Sequence, residues 1–331
     1  MQLAQYDRGL KLFLMSRRTR STLIAAVSCL LLPFSAQAIE ILETIDFPEA
    51  SVVQVRDVNS DGDIVGYRTV NGLTESFIRT EGGTEFFQID GANTLAIAIN
   101  DAGDTVGGVN TDIPGQDAFA RLADTTVLRF NPNGNTDASA NGINNLGVIV
   151  GSGNAFGTGG FLRQSDGTVT DINYPGAVGE AILKTNATDI NEAGLIVGHT
   201  IGQSTDIFAR GWYTDNAGLT FTDVSAPGQQ ITYVWAANNN GLLVGDYSSS
   251  LVGERLGFVF EIASGNFSPF SVPNADWTVP TGINDAGQIV GFSRDAASGR
   301  ITGFVAVVPE PTSLGLMVMT AAGLLSRRSS R

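Results

Sequence analysis

The sequence predicts an all-β repeat protein, and specifically a six-bladed β-propeller built from four-stranded blades. Three observations support this prediction. A short phrase recurs six times at intervals of 41 to 47 residues, an aromatic residue follows each copy at a similar distance, and each interval has room for four short strands. The alternative is an open β-solenoid, whose terminal repeats would need caps.

The repeated phrase consists of an Asn, a Gly three residues later and a Val-Gly pair that ends seven residues after the Asn. Its six copies are centred on Asn59, Asn100, Asn144, Asn191, Asn238 and Asn284. An Asn side chain can close an Asx turn and Gly tolerates positive φ, so Asn-x-x-Gly predicts a tight turn between two strands. The Gly after Val predicts a β-bulge or a close approach of two backbones.

Each unit also contains an aromatic residue 10 to 13 positions beyond the Val-Gly pair, within a short apolar strand. These residues are Phe77, Phe119, Phe161, Phe208, Phe258 and Phe304. In the first unit we expect strands at 41–47, 52–58, 63–68 and 76–80, so that the Asn turn is the second connection of the unit.

Alternating strand direction would then place all six Asn turns on one face of the propeller. The Pro-Gly turns and the variable loops after Val-Gly would share the opposite face, where a rigid scaffold usually displays its binding residues. Aromatic residues predicted near this face are Tyr67, Tyr174, Trp235, Tyr247 and Trp277. The alternative is that these side chains pack between blades.

Residues 1–38 are predicted to be a signal peptide. Three arginines (Arg17, Arg18 and Arg20) precede an apolar run at 23–34 that is short for a membrane span. Ala36 and Ala38 form a small-x-small cleavage site. The alternative is a membrane anchor that is never cleaved. Cleavage after Ala38 would remove the only cysteine of the chain, so disulfides are not expected in the mature protein.

Residues 39–307 form the predicted six-repeat domain, which is strongly acidic. It contains 11 basic and 31 acidic residues, a net charge of −20, and its only lysine is Lys184. Such a surface repels nucleic acid and anionic lipid. We therefore expect no nucleic-acid partner, and membrane contact only through the C-terminal segment.

Residues 308–331 are predicted to be a separate C-terminal segment. Pro309, Glu310 and Pro311 interrupt regular structure, a predicted anchor helix follows at 314–325, and the chain ends with a basic cluster that contains Arg327 and Arg328. A plain C-terminal anchor would have similar features.

The order of these C-terminal features resembles the PEP-CTERM sorting signal. This resemblance implies recognition and cleavage by an exosortase-type enzyme, transient anchoring in the inner membrane, and delivery to the cell surface or extracellular matrix of a Gram-negative bacterium.

The repeats resemble the extracellular HAF family, whose pattern is close to A-x-x-I-N-x-x-G-x-x-V-G followed by His-Ala-Phe. The chain keeps the Asn, Gly, Val-Gly and Phe positions but lacks the His before each Phe. This second resemblance implies a repeat architecture and no particular activity.

Little in the sequence indicates catalysis. His199 is the only histidine, it directly follows a Val-Gly pair, and no Gly-x-Ser-x-Gly elbow accompanies it. We expect it to be a loop residue, and we assign no catalytic residue. A pair of acidic residues suited to glycoside hydrolysis cannot be selected among so many carboxylates.

One stretch suggests a cation. Asp57, Asn59, Asp61 and Asp63 place oxygen ligands at alternate positions, as in the first half of a calcium loop. The twelfth position of that loop, normally acidic, is Arg68. The alternative is an acidic version of the same tight turn, and no other cofactor is expected.

The expected function is therefore that of a secreted or surface-anchored, non-enzymatic repeat protein. It would bind exopolysaccharide or a protein partner in a biofilm matrix. A calcium-dependent adhesin or structural component and a polysaccharide-active enzyme are the alternatives.

Overall fold

The computed structural model describes residues 39–110, 116–132, 137–153, 159–204, 206–215, 220–251 and 253–309. The predicted signal peptide with Ala36 and Ala38, and the predicted sorting signal from Glu310 through Arg327 and Arg328, lie outside these residues. The described part of the chain contains no α-helix, and so it has no helix that could cross a membrane.

Within the described residues the chain forms 24 strands. In chain order they are β1 (Glu40–Ile45), β2 (Val52–Val58), β3 (Ile64–Val70), β4 (Leu73–Thr80), β5 (Gly83–Phe87), β6 (Thr94–Ile99), β7 (Thr105–Asn110), β8 (Gln116–Arg121), β9 (Val127–Phe130), β10 (Ala138–Ile143), β11 (Ile149–Gly153), β12 (Gly160–Arg163), β13 (Val169–Ile172), β14 (Ala181–Ile190), β15 (Ile196–Gln203), β16 (Ile207–Thr214), β17 (Thr222–Val224), β18 (Ile231–Ala237), β19 (Leu242–Ser248), β20 (Leu256–Glu261), β21 (Asn266–Phe270), β22 (Ala275–Ile283), β23 (Gln288–Asp295) and β24 (Ile301–Val307).

These strands form six blades of four antiparallel strands around a central channel. Blades 1 to 5 are β2–β5, β6–β9, β10–β13, β14–β17 and β18–β21. Blade 6 combines β22, β23 and β24 with β1. Asn284 of blade 6 donates a hydrogen bond to the carbonyl of Asn59 in blade 1, which closes the ring. The six-bladed propeller prediction is therefore confirmed, and the open solenoid is wrong.

The N-terminal strand corrects our division of the chain into units. We expected residues 41–47 to begin the first blade, but β1 pairs with β24, with Ile45 opposite Gly303. Blade 1 thus begins at β2, and the Asn turn is the first connection of each blade rather than the second. Without β1, strand β24 would present an unpaired edge, and pairing the two ends of the chain removes that edge.

The Asn-x-x-Gly turns have the predicted geometry. The φ angles of the six turn glycines lie between 72° and 84°. In blade 1, for example, Asn59 Oδ1 accepts the N–H groups of Asp61 at 3.1 Å and Asp63 at 2.8 Å, which closes the Asx turn. Both the turn and its residue preferences are confirmed.

The glycine of each Val-Gly pair allows a close backbone approach. A Cβ atom on Gly245 would lie 2.0 Å from the carbonyl oxygen of Tyr233 and 2.8 Å from the ring of Phe258. In all six blades this distance to the carbonyl of the innermost strand is between 1.9 and 2.2 Å. The bulge itself lies in that innermost strand, opposite the glycine.

The predicted aromatic residue lies in the third strand of every blade, but in blade 4 it is not the residue opposite the Val-Gly glycine. The aromatic residue opposite the Val-Gly glycine is Trp212, which pairs with Gly198, whereas Phe208 pairs with Gly202. Blade 4 has longer strands here, so counting a fixed distance from Val-Gly selects the wrong side chain.

The hydrophobic core is divided among the interfaces between neighbouring blades. One buried cluster of described residues lies at each of the six interfaces. The aromatic residues opposite the Val-Gly glycines, including Trp212 in blade 4, are almost fully buried in these clusters, whereas Phe208 is half-buried. The channel is therefore surrounded by a rigid ring in which each blade is packed against two others.

Candidate binding site in the central channel

A single bulged residue in each innermost strand faces the central channel. It lies three positions before the repeated Asn, where the strand pairing shifts by one residue. Together the bulged residues line a cavity of about 510 Å³, and they are Arg56, Ile97, Asn141, Thr188, Trp235 and Thr281. A bulged residue leaves the regular strand pairing, and in three blades its side chain instead donates a hydrogen bond to the next innermost strand, from Asn141 to Ala187, from Thr188 to Val234 and from Thr281 to Val55.

The cavity extends toward the face that carries the hairpins between the second and third strands. Ser248 and Leu251, at one of these hairpins, line its wall. At the opposite end the repeated asparagines surround a space of only about 60 Å³. A ligand would therefore enter from the face that we predicted for binding.

The narrow end is closed by a ring of asparagine hydrogen bonds, which we call the Asn ring. The side-chain amide of each bonded asparagine donates to the carbonyl of the asparagine in the next blade. The bonds join Asn59 to Asn100, Asn100 to Asn144, Asn191 to Asn238, Asn238 to Asn284 and Asn284 to Asn59, at 3.0 to 3.3 Å. This role of the repeated Asn was not predicted.

Two half-buried carboxylates lie at the inner end of the cavity. Asp57 accepts one N–H group from its own strand at 2.8 Å and one from Ile99 of the next blade at 3.0 Å. Asp189 accepts the equivalent pair at 2.8 and 3.0 Å. Burial raises the pKa of Asp57 well above its usual value, and it raises the pKa of Asp189 to about 6. Both side chains connect neighbouring blades.

His199 belongs to the cavity wall rather than to a loop, because β15 extends through it. It is buried, and its Nε2 lies 2.9 Å from the side-chain nitrogen of Asn186. Its ring packs edge-on against Tyr233 and Trp235, at centroid distances of 4.7 and 5.0 Å. Burial lowers its pKa to about 3. The imidazole is therefore neutral near pH 7, and its Nε2 already accepts a hydrogen bond.

The indole of Trp235 is held in place by a buried ion pair. Asp246, which is fully buried, accepts the indole N–H of Trp235 at 2.6 Å. The same carboxylate accepts two hydrogen bonds from the guanidinium of Arg255, at 2.7 and 2.9 Å. Burial raises the pKa of Asp246, while Arg255 opposes this shift. Trp235 thus presents a fixed aromatic surface to the cavity.

Two of the other predicted binding aromatics stabilise the fold instead. Tyr174 is buried and donates its hydroxyl to Asp223 at 2.6 Å, while its ring packs on Phe221. Tyr247 packs on Phe267, with a ring-centroid distance of 5.5 Å. Both side chains belong to clusters between blades, as the alternative interpretation proposed.

The remaining two predicted aromatics are also outside the cavity lining. Tyr67 is half-buried and donates its hydroxyl to Gln54 at 2.5 Å. Trp277 lies against the guanidinium of Arg294, which is 3.7 Å from its ring centroid. Of the five predicted aromatics, only Trp235 lines the cavity.

The geometry gives no support to the predicted calcium site. The Asp57 carboxylate accepts two peptide N–H groups in the channel, while Asn59 Oδ1 accepts the N–H groups of Asp61 and Asp63 within the turn. No group of three acidic, histidine or cysteine side chains suited to a metal occurs in the described part of the chain.

Sequence reasoning missed most of the cavity residues. It did not single out Arg56 or Asp189, and it named Asp57 for a different role. The available indication was the pair of positions two and three residues before each repeated Asn. These positions vary from one copy to the next. The residue three before the Asn lines the cavity in every blade, and the residue two before it does so where it is Asp57 or Asp189.

Comparisons with known proteins support the fold and leave the function open. No family model and no curated protein matches this chain. A protein of unknown function from Dyadobacter fermentans is similar in structure, with a TM-score of 0.54, 10% identity and coverage of 82% of this chain and 100% of that chain. A TolB chain from Agrobacterium tumefaciens has a TM-score of 0.54 and 10% identity, with coverage of 78% and 91% respectively. At this identity the similarity establishes a β-propeller fold only.

Proposed function

We propose that this protein is an exported component of the cell surface or extracellular matrix that binds a saccharide unit of an extracellular polysaccharide. The bound unit would occupy the central cavity, and the protein would not catalyse a reaction on it. The observation that carries this proposal is the fixed indole of Trp235 in the wall of a cavity of about 510 Å³. Ligand sites commonly have volumes of about 300–1,000 Å³ and combine aromatic surface with a few polar groups.

The export part of the proposal rests on the two ends of the chain. The signal-peptide features of residues 1–38 and the PEP-CTERM-like tail support passage through the inner membrane and processing by an exosortase-type partner. The acidic body supports a location among hydrated polymers, since net charge favours solubility.

The cavity favours a saccharide over a protein partner. Trp235 and Tyr233 are half-buried and lie within the channel rather than on an exposed surface. A sugar ring can reach these aromatic faces, whereas a folded protein would contact only the hairpins around the opening.

Co-sedimentation of the purified full chain with the polysaccharide of its host tests this proposal. We expect retention of the wild-type protein and at least about tenfold weaker retention of Trp235→Ala, because one aromatic contact with a ligand is worth about 1–3 kcal/mol. Trp277→Ala is the matched control, since it removes an indole outside the cavity lining. Equal retention of the two variants would contradict binding in the cavity. Retention that requires calcium would restore the adhesin alternative.

A polysaccharide-active enzyme is a second candidate, and one observation favours it. Asp57 and Asp189 are half-buried at the inner end of the cavity, and desolvation there raises the pKa of both carboxyl groups. Two carboxyl groups in different protonation states can act as acid and base in glycoside hydrolysis. Their hydrogen bonds to peptide N–H groups favour a structural role instead. Release of new reducing ends from the polysaccharide by the wild type, and loss of this release in Asp189→Asn, would establish the enzyme.

A further inference from the structure

The arginines of the propeller are mostly paired with carboxylates. Within the described residues, eight arginines form ion pairs, and they are Arg68, Arg79, Arg121, Arg129, Arg210, Arg255, Arg294 and Arg300. This is expected for a domain with a large excess of acidic residues. Arg56 is an exception, and it faces the central cavity.

Arg56 is the bulged residue of blade 1 and has no hydrogen-bond or ion-pair partner among the described residues. Its Nε atom is buried without an acceptor. Its guanidinium carbon lies 5.5 Å from the ring centroid of Trp235. A buried donor without an acceptor is costly, and a guanidinium offers two parallel N–H groups that match a carboxylate. The cavity lining therefore contains a guanidinium without a carboxylate partner in the described structure, next to the indole of Trp235.

Other polar groups of the cavity agree with an anionic ligand. Lys184, the only lysine of the repeat domain, and Arg255 also line the cavity. Ser139 is buried in the same wall, and its hydroxyl has no partner in the described structure. These three side chains belong to blades 3, 4 and 5, and Arg56 belongs to blade 1, so hydrogen-bond donors from four blades line the cavity.

The acidic groups of the cavity are already occupied. Both oxygens of Asp57 and both oxygens of Asp189 accept peptide N–H groups. Asp246 is bonded to Arg255 and to the Trp235 indole. None of these three carboxylates forms an ion pair with Arg56, so its guanidinium remains available to a ligand.

We propose that the cavity selects a saccharide that bears a carboxylate, such as a uronic acid residue. Arg56 binds the carboxylate through its two parallel N–H groups, and the sugar ring stacks on Trp235. This inference rests on the proposed function, since it specifies which saccharide the cavity binds. A neutral sugar would leave the half-buried Arg56 guanidinium without an acceptor, and a lone carboxylate would leave the indole without a stacking partner.

Calorimetric titration of the purified full chain with matched ligands tests this inference. The ligands are an oligogalacturonate, its methyl ester of equal length, a sulfated neutral oligosaccharide and acetate. We expect the oligogalacturonate to bind at least about tenfold more tightly than its methyl ester, because a hydrogen-bonded charge pair is lost on esterification. The other two ligands are expected to bind at least about tenfold more weakly than the oligogalacturonate.

Two variants connect this selectivity to Arg56. Arg56→Gln should lose most of the preference for the acid over the ester, and Arg56→Lys should lose less of it, because lysine keeps the charge but lacks the planar fork. Arg163→Gln is the matched control, because Arg163 lies outside the cavity lining and its guanidinium packs on Phe130. Thermal unfolding establishes that each variant is folded. Arg56→Gln should unfold near the wild-type temperature because it loses no hydrogen bond or ion pair of the described structure, only the contact with the Trp235 ring.

The outcomes separate the inference from the proposed function. Equal binding of acid and ester by the wild type, or unchanged selectivity in Arg56→Gln, would overturn the role of Arg56. Retention on the host polysaccharide that depends on Trp235 would still support the proposed function in that case. If the sulfated sugar or acetate binds as tightly as the oligogalacturonate, the assignment to a carboxylated sugar is wrong. No binding of any saccharide or polysaccharide would overturn both proposals.

Discussion

Replacement of Asn238 by alanine tests whether the repeated asparagine holds both the hairpin and the ring. Asn238 is 3% exposed. Its Oδ1 accepts the N–H groups of Asn240 at 3.1 Å and Leu242 at 3.0 Å, and its Nδ2 donates to the carbonyl of Asn284 at 3.1 Å. Alanine removes these three hydrogen bonds and leaves their partners without a replacement.

The expected loss of stability follows from this count of bonds. A hydrogen bond contributes about 1 kcal/mol net, and a buried group left unpaired adds a further penalty, so we expect a loss of about 3–5 kcal/mol. For a domain of this size the unfolding temperature falls by about 2–4 °C per kcal/mol. The Asn238→Ala variant should therefore unfold about 6–20 °C below the wild type.

Calorimetry and chemical denaturation measure this change, and two further variants sharpen it. Asn266→Ala is the control, because Asn266 is an exposed asparagine of the same blade whose side chain has no hydrogen bond within the described structure. Asn238→Asp keeps the acceptor but loses the donor to the next blade, so we expect an intermediate loss of about 1–3 kcal/mol. A loss below about 1 kcal/mol for Asn238→Ala would refute the role of the Asn ring.

Three other predictions concern the packing, the ring closure and the buried carboxylates. Gly245→Ala should lower the free energy of unfolding by about 3 kcal/mol or more through overpacking, since its Cβ would lie 2.0 Å from a backbone carbonyl oxygen. Gly82→Ala is the control and should be nearly neutral in the same denaturant titration, because its Cβ would meet nothing nearer than 3.5 Å. Ile45→Ala in β1 should lower the free energy of unfolding by about 2–4 kcal/mol, because Ile45 is only 4% exposed. Leu42→Ala in the same strand should change this free energy little, because Leu42 is 56% exposed. In the folded state the pKa of Asp189 is raised from 3.8 to about 6. Between these pH values the folded state therefore binds more protons than the unfolded state. The contribution of this carboxyl group to stability falls as the pH rises from about 4 to about 6. Asp189→Asn should remove this part of the pH dependence, and an unchanged slope would show that burial does not raise the pKa of this carboxyl.

The sequence was sufficient to predict the parts of the fold that depend on local chemistry. The turn at each repeated Asn, the positive φ of the glycine that follows and the close approach at Val-Gly all depend on residues within one phrase. Counting the phrases also predicted the number of blades. These features repeat six times, so each copy supports the interpretation of the others.

Features that depend on distant contacts were not predictable in the same way. Residues 41–47 directly precede β2, and nothing local shows that β1 pairs with β24 some 260 residues later. In blade 4 the longer hairpin moved the aromatic position from Phe208 to Trp212. The same extension placed His199 in a strand. Strand length is decided by pairing with neighbouring strands, which a spacing rule does not contain.

Most of the candidate site was missed because its residues are the variable ones, although Trp235 was named as a binding aromatic from its place near the variable loops. Arg56 and Trp235 occupy equivalent positions in two blades but have no chemical similarity. A search for recurring residues passes over them, and a search for catalytic motifs finds too few histidines and too many carboxylates. Only the closed ring shows that positions far apart in sequence share one cavity.

The propeller separates residues that recur in every blade from residues that line the cavity. The Val-Gly glycine lies against a backbone carbonyl, and the repeated Asn closes the turn beside it. The bulged residues differ from blade to blade, and three of them also connect neighbouring blades, since Asn141, Thr188 and Thr281 each donate a hydrogen bond to a carbonyl of the next innermost strand. Within the described residues the Arg56 side chain makes no such bond, so we expect Arg56→Gln to change the cavity at little cost to folding, whereas alanine at Thr188 or Thr281 should also weaken the contact between two blades.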